Sequence, residues 1–130
     1  MKAVDTNVLL RFVVRDDPKQ FEVASRFLTA RTADDPAYVS LIVLAEMVWA
    51  LERRYGYPRD SVRGVVLALL ESAEVVFEAE ASLSMLIAQK AKGDIADHLI
   101  ALSARRAGCA TVATFDKRAA RAIPSMELLT

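Results

Sequence analysis

The sequence predicts an α/β protein, a three-layer α/β/α domain on a mainly parallel five-stranded sheet. Three observations predict it. Short apolar runs of strand length alternate with stretches of helical periodicity along the chain. The 130 residues suit one domain, 1–130, and no linker, repeat or biased segment divides them. With 54% hydrophobic residues, four Gly and four Pro, the composition excludes disordered, collagenous and low-complexity classes. A chain of this mass can bury about two-thirds of its surface, enough for a core without disulfide or metal staples.

Each element follows in order. Met1–Val4 is an apolar run ending at Asp5, read as the edge of a buried strand. Val8–Val14 reads as a short helix, and Asp16-Asp17-Pro18 as a turn and a helix start. Phe21, Ala24, Phe27 and Leu28 then recur at helical spacing, stopping near Asp34-Asp35-Pro36. Tyr38-Val39 is a strand, and Ser40 caps a long helix that Tyr55-Gly56-Tyr57-Pro58 ends. Val62, Val65, Val66, Leu69 and Leu70 mark the next helix, and Val75–Phe77 the next strand. Leu83, Leu86 and Ile87 form a helical stripe, and Gly93-Asp94 opens a helix through Arg106 that Gly108 closes. Thr111–Ala113 is a strand, Asp116 precedes a short helix, and Met126–Leu129 is a last edge strand.

Seventeen cations balance seventeen anions, which excludes a generic, strongly basic polyanion binder. Nucleic-acid contact must come from a local patch. Twelve of the cations are Arg, the side chain suited to bidentate phosphate contacts. A single cysteine, Cys109, allows no internal disulfide and fits a reducing compartment; it is expected to be a small buried hydrophobe. The richest apolar stretch, Ala37–Leu51, is broken by Ser40 and Glu46, and no signal-type segment is read at the start. A cytoplasmic location is the expectation.

Sites in an open parallel sheet lie beyond the carboxyl ends of the strands. Asp5 and Asp116 fall there, although each also suits a helix N-cap. Glu46 has Ile42, Val43, Trp49 and Ala50 as helical neighbours, so it reads as an acid on a buried stripe needing a cation or an ion-pair partner. Asp94 and Asp97 share a helix face, with Ile100, Ala101 and Ala104 expected to pack inward beside Asp97. Asp94 stands open between cap and ligand. Together, Asp5, Glu46, Asp97 and Asp116 come from four segments able to converge at one sheet edge. Carboxylates so placed repel, and a hard divalent cation compensates. Oxygen-only donors favour Mg²⁺ or Mn²⁺, and one His with one Cys argues against structural zinc. Such an ion supports in-line attack of water on a phosphodiester.

The segments VDTNVLLRFVVRDDP, SLIVLAEMVWALERRYGYPR, GDIADHLIALSARRAGC and TVATFDKRA occur in that order. Together they resemble the PIN-domain ribonucleases, in particular VapC-type toxins of bacterial toxin–antitoxin systems. The resemblance implies an α/β/α PIN fold and Mg²⁺-dependent endoribonuclease activity, with Mn²⁺ substituting, that leaves 5′-phosphate and 3′-hydroxyl ends. It implies Asp5 and Asp97 as direct metal ligands, with Asp116 and Glu46 completing the shell directly or through water. Asn7 and Thr114 would line the site and hold carboxylates or waters. It further implies an RNA substrate, a homodimer, and a VapB-like antitoxin whose C-terminal segment occupies the acidic cleft.

His98 stands where the family more often has Ala, and is expected to be a surface or partly buried helical residue rather than a base. Trp49 and the Phe residues sit at core spacing and are expected to pack. Arg11, Arg15, Lys117, Arg118 and Arg121 adjoin the motifs and are candidates for RNA phosphates. Three other readings compete with this one. A non-catalytic RNA- or protein-binding PIN-like module would not need intact acids. An aspartate-based phosphatase or phosphotransferase of the haloacid dehalogenase kind wants a second Asp where Asn7 stands. A dinucleotide binder would need a glycine-rich loop after the first strand, and none is present.

Overall fold

In the computed structural model, which describes residues 1–130, four of the seven helices start at a side-chain cap, from Asp5, Asp17, Ser40 and Asp116. The chain runs β1 (Lys2–Ala3), α1 (Thr6–Val14), α2 (Pro18–Thr29), β2 (Ala37–Val39), α3 (Leu41–Arg53) and α4 (Arg59–Leu70). It continues through β3 (Val75–Phe77), α5 (Glu80–Ala88), α6 (Ile95–Arg106), β4 (Val112–Thr114), α7 (Lys117–Ala122) and β5 (Met126–Leu128). Asp17 accepts from the Gln20 N–H, and Pro18 takes the first position of α2, where a missing N–H costs nothing. Ser40 Oγ accepts from the Val43 N–H at 3.2 Å and starts α3. Asp116 Oδ1 accepts from the N–H groups of Arg118 and Ala119 and starts α7.

Every strand pair is parallel, as expected, but the strands form two sheets. β1, β2 and β3 pair in that order, with Lys2 beside Ala37 and Ala37 beside Val75. β4 pairs with β5, Val112 beside Met126, and no ladder joins β1 to β4. The sequence suggests one sheet of five strands; the structure has three plus two. The cause is visible in the packing. β1 has two residues, both exposed, so it contributes little burial to a further pairing. The β4–α7–β5 unit has its own small core of Ala119, Ile123 and Met126, closed by Ala101 of α6 with Val112 and Ala122.

The main core lies elsewhere. Leu9, Leu10, Leu44, Met47, Leu51, Val62 and Val66 are fully buried there between α1, α3 and α4 and the first ladder. The accessible surface is 7865 Å², against ~6,800 Å² for one closed domain of this mass. The excess fits a fold whose buried residues form two separate clusters. No helix is long and apolar enough to cross a membrane.

Five residues expected to be buried are exposed. Glu46 is exposed, between Ile42 at 74% and Trp49 at 53% exposure, so that stripe of α3 meets solvent while Leu44, Met47, Val48 and Leu51 face the core. Trp49 therefore does not pack in the core. Phe115 is also exposed, because it follows β4 at the rim of the smaller unit. Ile100 on α6 is exposed too. Cys109 lies beyond Gly108, whose φ of +93° turns the chain away from α6, and is exposed rather than buried.

The unequal cores set unequal stabilities. Leu44→Ala is expected to cost about 3 kcal/mol in urea unfolding. The amides of β4 and β5 should exchange with deuterium through openings that leave those of β2 protected. Equal protection in both ladders would contradict the two-core reading.

Candidate functional site

Asp5 follows β1 and starts α1, where its Oδ1 accepts from the Thr6 N–H at 2.8 Å. Thr6 is buried, and its hydroxyl donates to Glu46 Oε1 of α3 at 3.2 Å. One threonine thus ties the acid after the first strand to the acid on α3. Asn7, Trp49, Arg54, Ala96 and Ile100 line the same cleft, and the Asn7 amide makes no side-chain hydrogen bond there.

Asp97, Asp94, Asp116 and Glu52 share a second cleft. Asp116 is set from both sides: its Oδ1 caps α7, and its N–H donates to Thr114 Oγ1 at 3.0 Å. Thr114 is thereby a positioning residue for Asp116. Asp94 occupies the N-cap position of α6 but makes no capping bond. Its Oδ1 instead accepts from Arg59 Nη2 at 2.7 Å. Gly93 permits this loop twice over. Its φ is +101°, and a Cβ there would meet Ala122 Cβ at 3.0 Å, so only glycine lets the loop close against α7. His98 is half-buried, and its Nε2 donates to the Lys92 carbonyl at 2.5 Å, which fastens the same loop.

Burial raises the Asp97 carboxyl above its ordinary value, and Asp94 and Asp116 push it further, with His98 and Arg53 opposing. Glu52 is raised by burial first and Asp94 next, and its Oε1 is buried without a hydrogen-bond partner. Three guanidinium groups, from Arg53, Arg59 and Arg118, line this cleft.

The two clefts flank the helix pair α3 and α6. Asp5 and Glu46 meet in one, and Asp97 and Asp116 in the other. No three of the carboxylates already form a coordination shell around one point. In kind, the donors fit a hard divalent cation. They are all oxygens, Asp5, Glu46, Asp94 and Asp116 each keep one carboxylate oxygen free of hydrogen bonds, and Glu52 carries an orphaned one. The Asp97 cleft is the better-provided half.

Two of the candidate phosphate ligands are engaged elsewhere. Arg11 binds Gln20, Asp16 and the Tyr55 hydroxyl, and Arg15 stacks over Phe21 at 4.7 Å. Lys117, Arg118 and Arg121 are exposed on α7. Sequence reasoning missed Thr6, Glu52, Arg53 and Arg59. Thr6 lies inside the DTN motif, but its tie to Glu46 is a contact across 40 residues that the motif does not encode. Glu52 lies six residues after Glu46, on another side of α3, so helical spacing does not link them.

The PIN-domain family model matches residues 2–123. This chain belongs to the PIN-domain family. It is also similar to the VapC ribonuclease of Aquifex aeolicus (strain VF5), 26% identical over 120 residues that cover 91% of this chain and 89% of the relative. The PIN match spans both clefts and both ladders up to Ile123, so the smaller unit through α7 is part of the family domain.

The crowded acids give a pH signature. Unfolded, Asp97 and Glu52 titrate near 3.8 and 4.5; folded, both hold their protons to higher pH. In that window the folded state binds more protons, so this contribution is full in acid and is lost as pH rises through the raised values. Asp97→Asn should therefore melt higher than the wild type in EDTA at pH 7, with the gap closing towards pH 3.5. Melting curves across that range test it, and a constant gap would contradict it.

Proposed function

We propose that this PIN domain is a metal-dependent endoribonuclease, the toxin of a VapBC-like toxin–antitoxin pair. The observation that carries the reading is the gathering of Asp94, Asp97 and Asp116 in one cleft with a desolvated Asp97 at its centre. Family membership and the VapC ribonuclease relative support it. Asp97 and Asp116 would hold the ion, with Asp5 and Glu46 completing the shell directly or through water, and Asp94 as a further donor. Bound there, a hard divalent cation, Mg²⁺ or Mn²⁺, supplies charge neutralisation and water activation for phosphodiester hydrolysis.

The chain's own residues do the positioning. Thr114 and the start of α7 fix one face of Asp116 and leave the Oδ2 free. Thr6 holds Asp5 and Glu46 in register with each other. Asn7 offers an uncommitted amide beside Asp5 for a water or a substrate oxygen. No protein nucleophile is required. A cytoplasmic location, a homodimer and a VapB-like antitoxin belong to the same proposal. The exposed Ile42, Trp49 and Ile100 provide apolar surface that a protein partner would cover.

RNA cleavage should cease in EDTA and return with Mn²⁺ or Mg²⁺. Asp97→Asn should lower the rate by about 10²-fold or more, and Asp94→Asn by less, because its engaged oxygen already serves Arg59. Cleavage of a labelled RNA by metal-stripped protein in EDTA would overturn the mechanism.

A further inference from the structure

Most arginines of this chain are committed to partners within it. Arg26, Arg31, Arg63 and Arg106 pair with carboxylates, and Arg11 and Arg15 are held as described. Arg53 and Arg118 differ. Both line the Asp97 cleft, yet neither forms an ion pair, although four carboxylates share that cleft. Arg59, at the first position of α4, completes the rim and reaches across to Asp94. The Arg59–Asp94 pair is 44% and 37% exposed, so water screens it and exchange of partners is cheap.

We propose that Arg53, Arg59 and Arg118 form the phosphate-holding rim of the Asp97 cleft, Arg59 passing from Asp94 to an RNA phosphate when substrate binds. This rests on the endoribonuclease reading and assigns its substrate contacts. Four carboxylates repel a phosphodiester, and a chain with no net charge has no global field to offset that repulsion. The compensation must be local. Guanidinium supplies it with two parallel N–H donors that match the two non-bridging phosphate oxygens. The rim draws on three elements: the C-terminal end of α3, the start of α4 and the start of α7. It thus marks a path for the RNA backbone over the cleft rather than a single anion pocket. When Arg59 turns to a phosphate, the Asp94 carboxylate is released beside Asp97.

The test is fluorescence anisotropy of a labelled single-stranded oligoribonucleotide with the full chain in EDTA, over a range of salt. Arg53→Gln, Arg59→Gln and Arg118→Gln should each weaken binding several-fold, the triple variant about a hundredfold, and the salt slope should fall by about 0.7 per arginine. Arg26→Gln, which breaks only an exposed pair on α2, should bind as the wild type does. Asp94→Asn should tighten binding by freeing Arg59, and Arg59→Gln should cancel that gain; a merely structural pair would show neither effect. If Arg59→Gln lowers the melting temperature, the Arg53→Gln/Arg118→Gln double variant, which breaks no ion pair, carries the test. A triple variant that binds like a wild type which itself binds and cleaves RNA overturns the rim alone. A wild type that neither binds nor cleaves RNA overturns the rim and the ribonuclease reading together. Rim-dependent binding without cleavage under any divalent cation keeps the rim and overturns the ribonuclease reading.

Discussion

Asp97 enters the fold with Asp94 three residues before it and Asp116 facing it from the start of α7, and a chain that gathers like charges there must balance them. Part of the balance is internal. Arg59 takes up Asp94, Arg53 offsets Asp97, and the first N–H groups of α7 hold one oxygen of Asp116. The rest is unmet: Asp97 and Glu52 keep raised values, and an oxygen of Glu52 is buried alone. The proposed cation would neutralise that uncompensated charge, and the proposed arginine rim would hold a phosphate beside it. A cleft optimised for stability alone would have replaced Asp97 or Glu52 with an apolar side chain.

The two-ladder arrangement bears directly on this site. Asp5 follows β1 of the first sheet, and Asp116 follows β4 of the second. No hydrogen-bonded ladder fixes the spacing of these two acids. Their relative position is set by the packing of α6 against α3 and by the small core under α7, with Ala101 as the link. Gly93 carries a share of that load, since its φ of +101° and the 3.0 Å approach of a Cβ there to Ala122 would strain any other residue.

Element boundaries were legible because their signals are local. Asp17-Pro18, Ser40, Gly56, Gly108 and Asp116 act on their own turn of chain, and the observed ends lie beside them. Facing was less legible. α3 is apolar around most of its circumference, so periodicity did not distinguish the core side of Leu44 and Leu51 from the solvent side of Ile42 and Trp49. Of the candidate site, the sequence offers Asp5, Glu46, Asp97 and Asp116 for one edge, and the structure gathers them as two pairs in two clefts; Thr114 came from the family resemblance alone. Thr6 as a bridge, Glu52 as a cleft acid and Arg59 as a partner of Asp94 depend on contacts 40, 42 or 35 residues apart that no spacing rule reaches.

A hard divalent cation would match the charge left over around Asp97. Crystals of the full chain soaked in Mn²⁺ and measured for anomalous scattering address it most directly. One strong peak is expected, bound by oxygens of Asp97 and Asp116, with Asp5 drawn towards it directly or through water. A saturating soak that leaves this cleft without a peak, or a peak held by neither Asp97 nor Asp116, would contradict it.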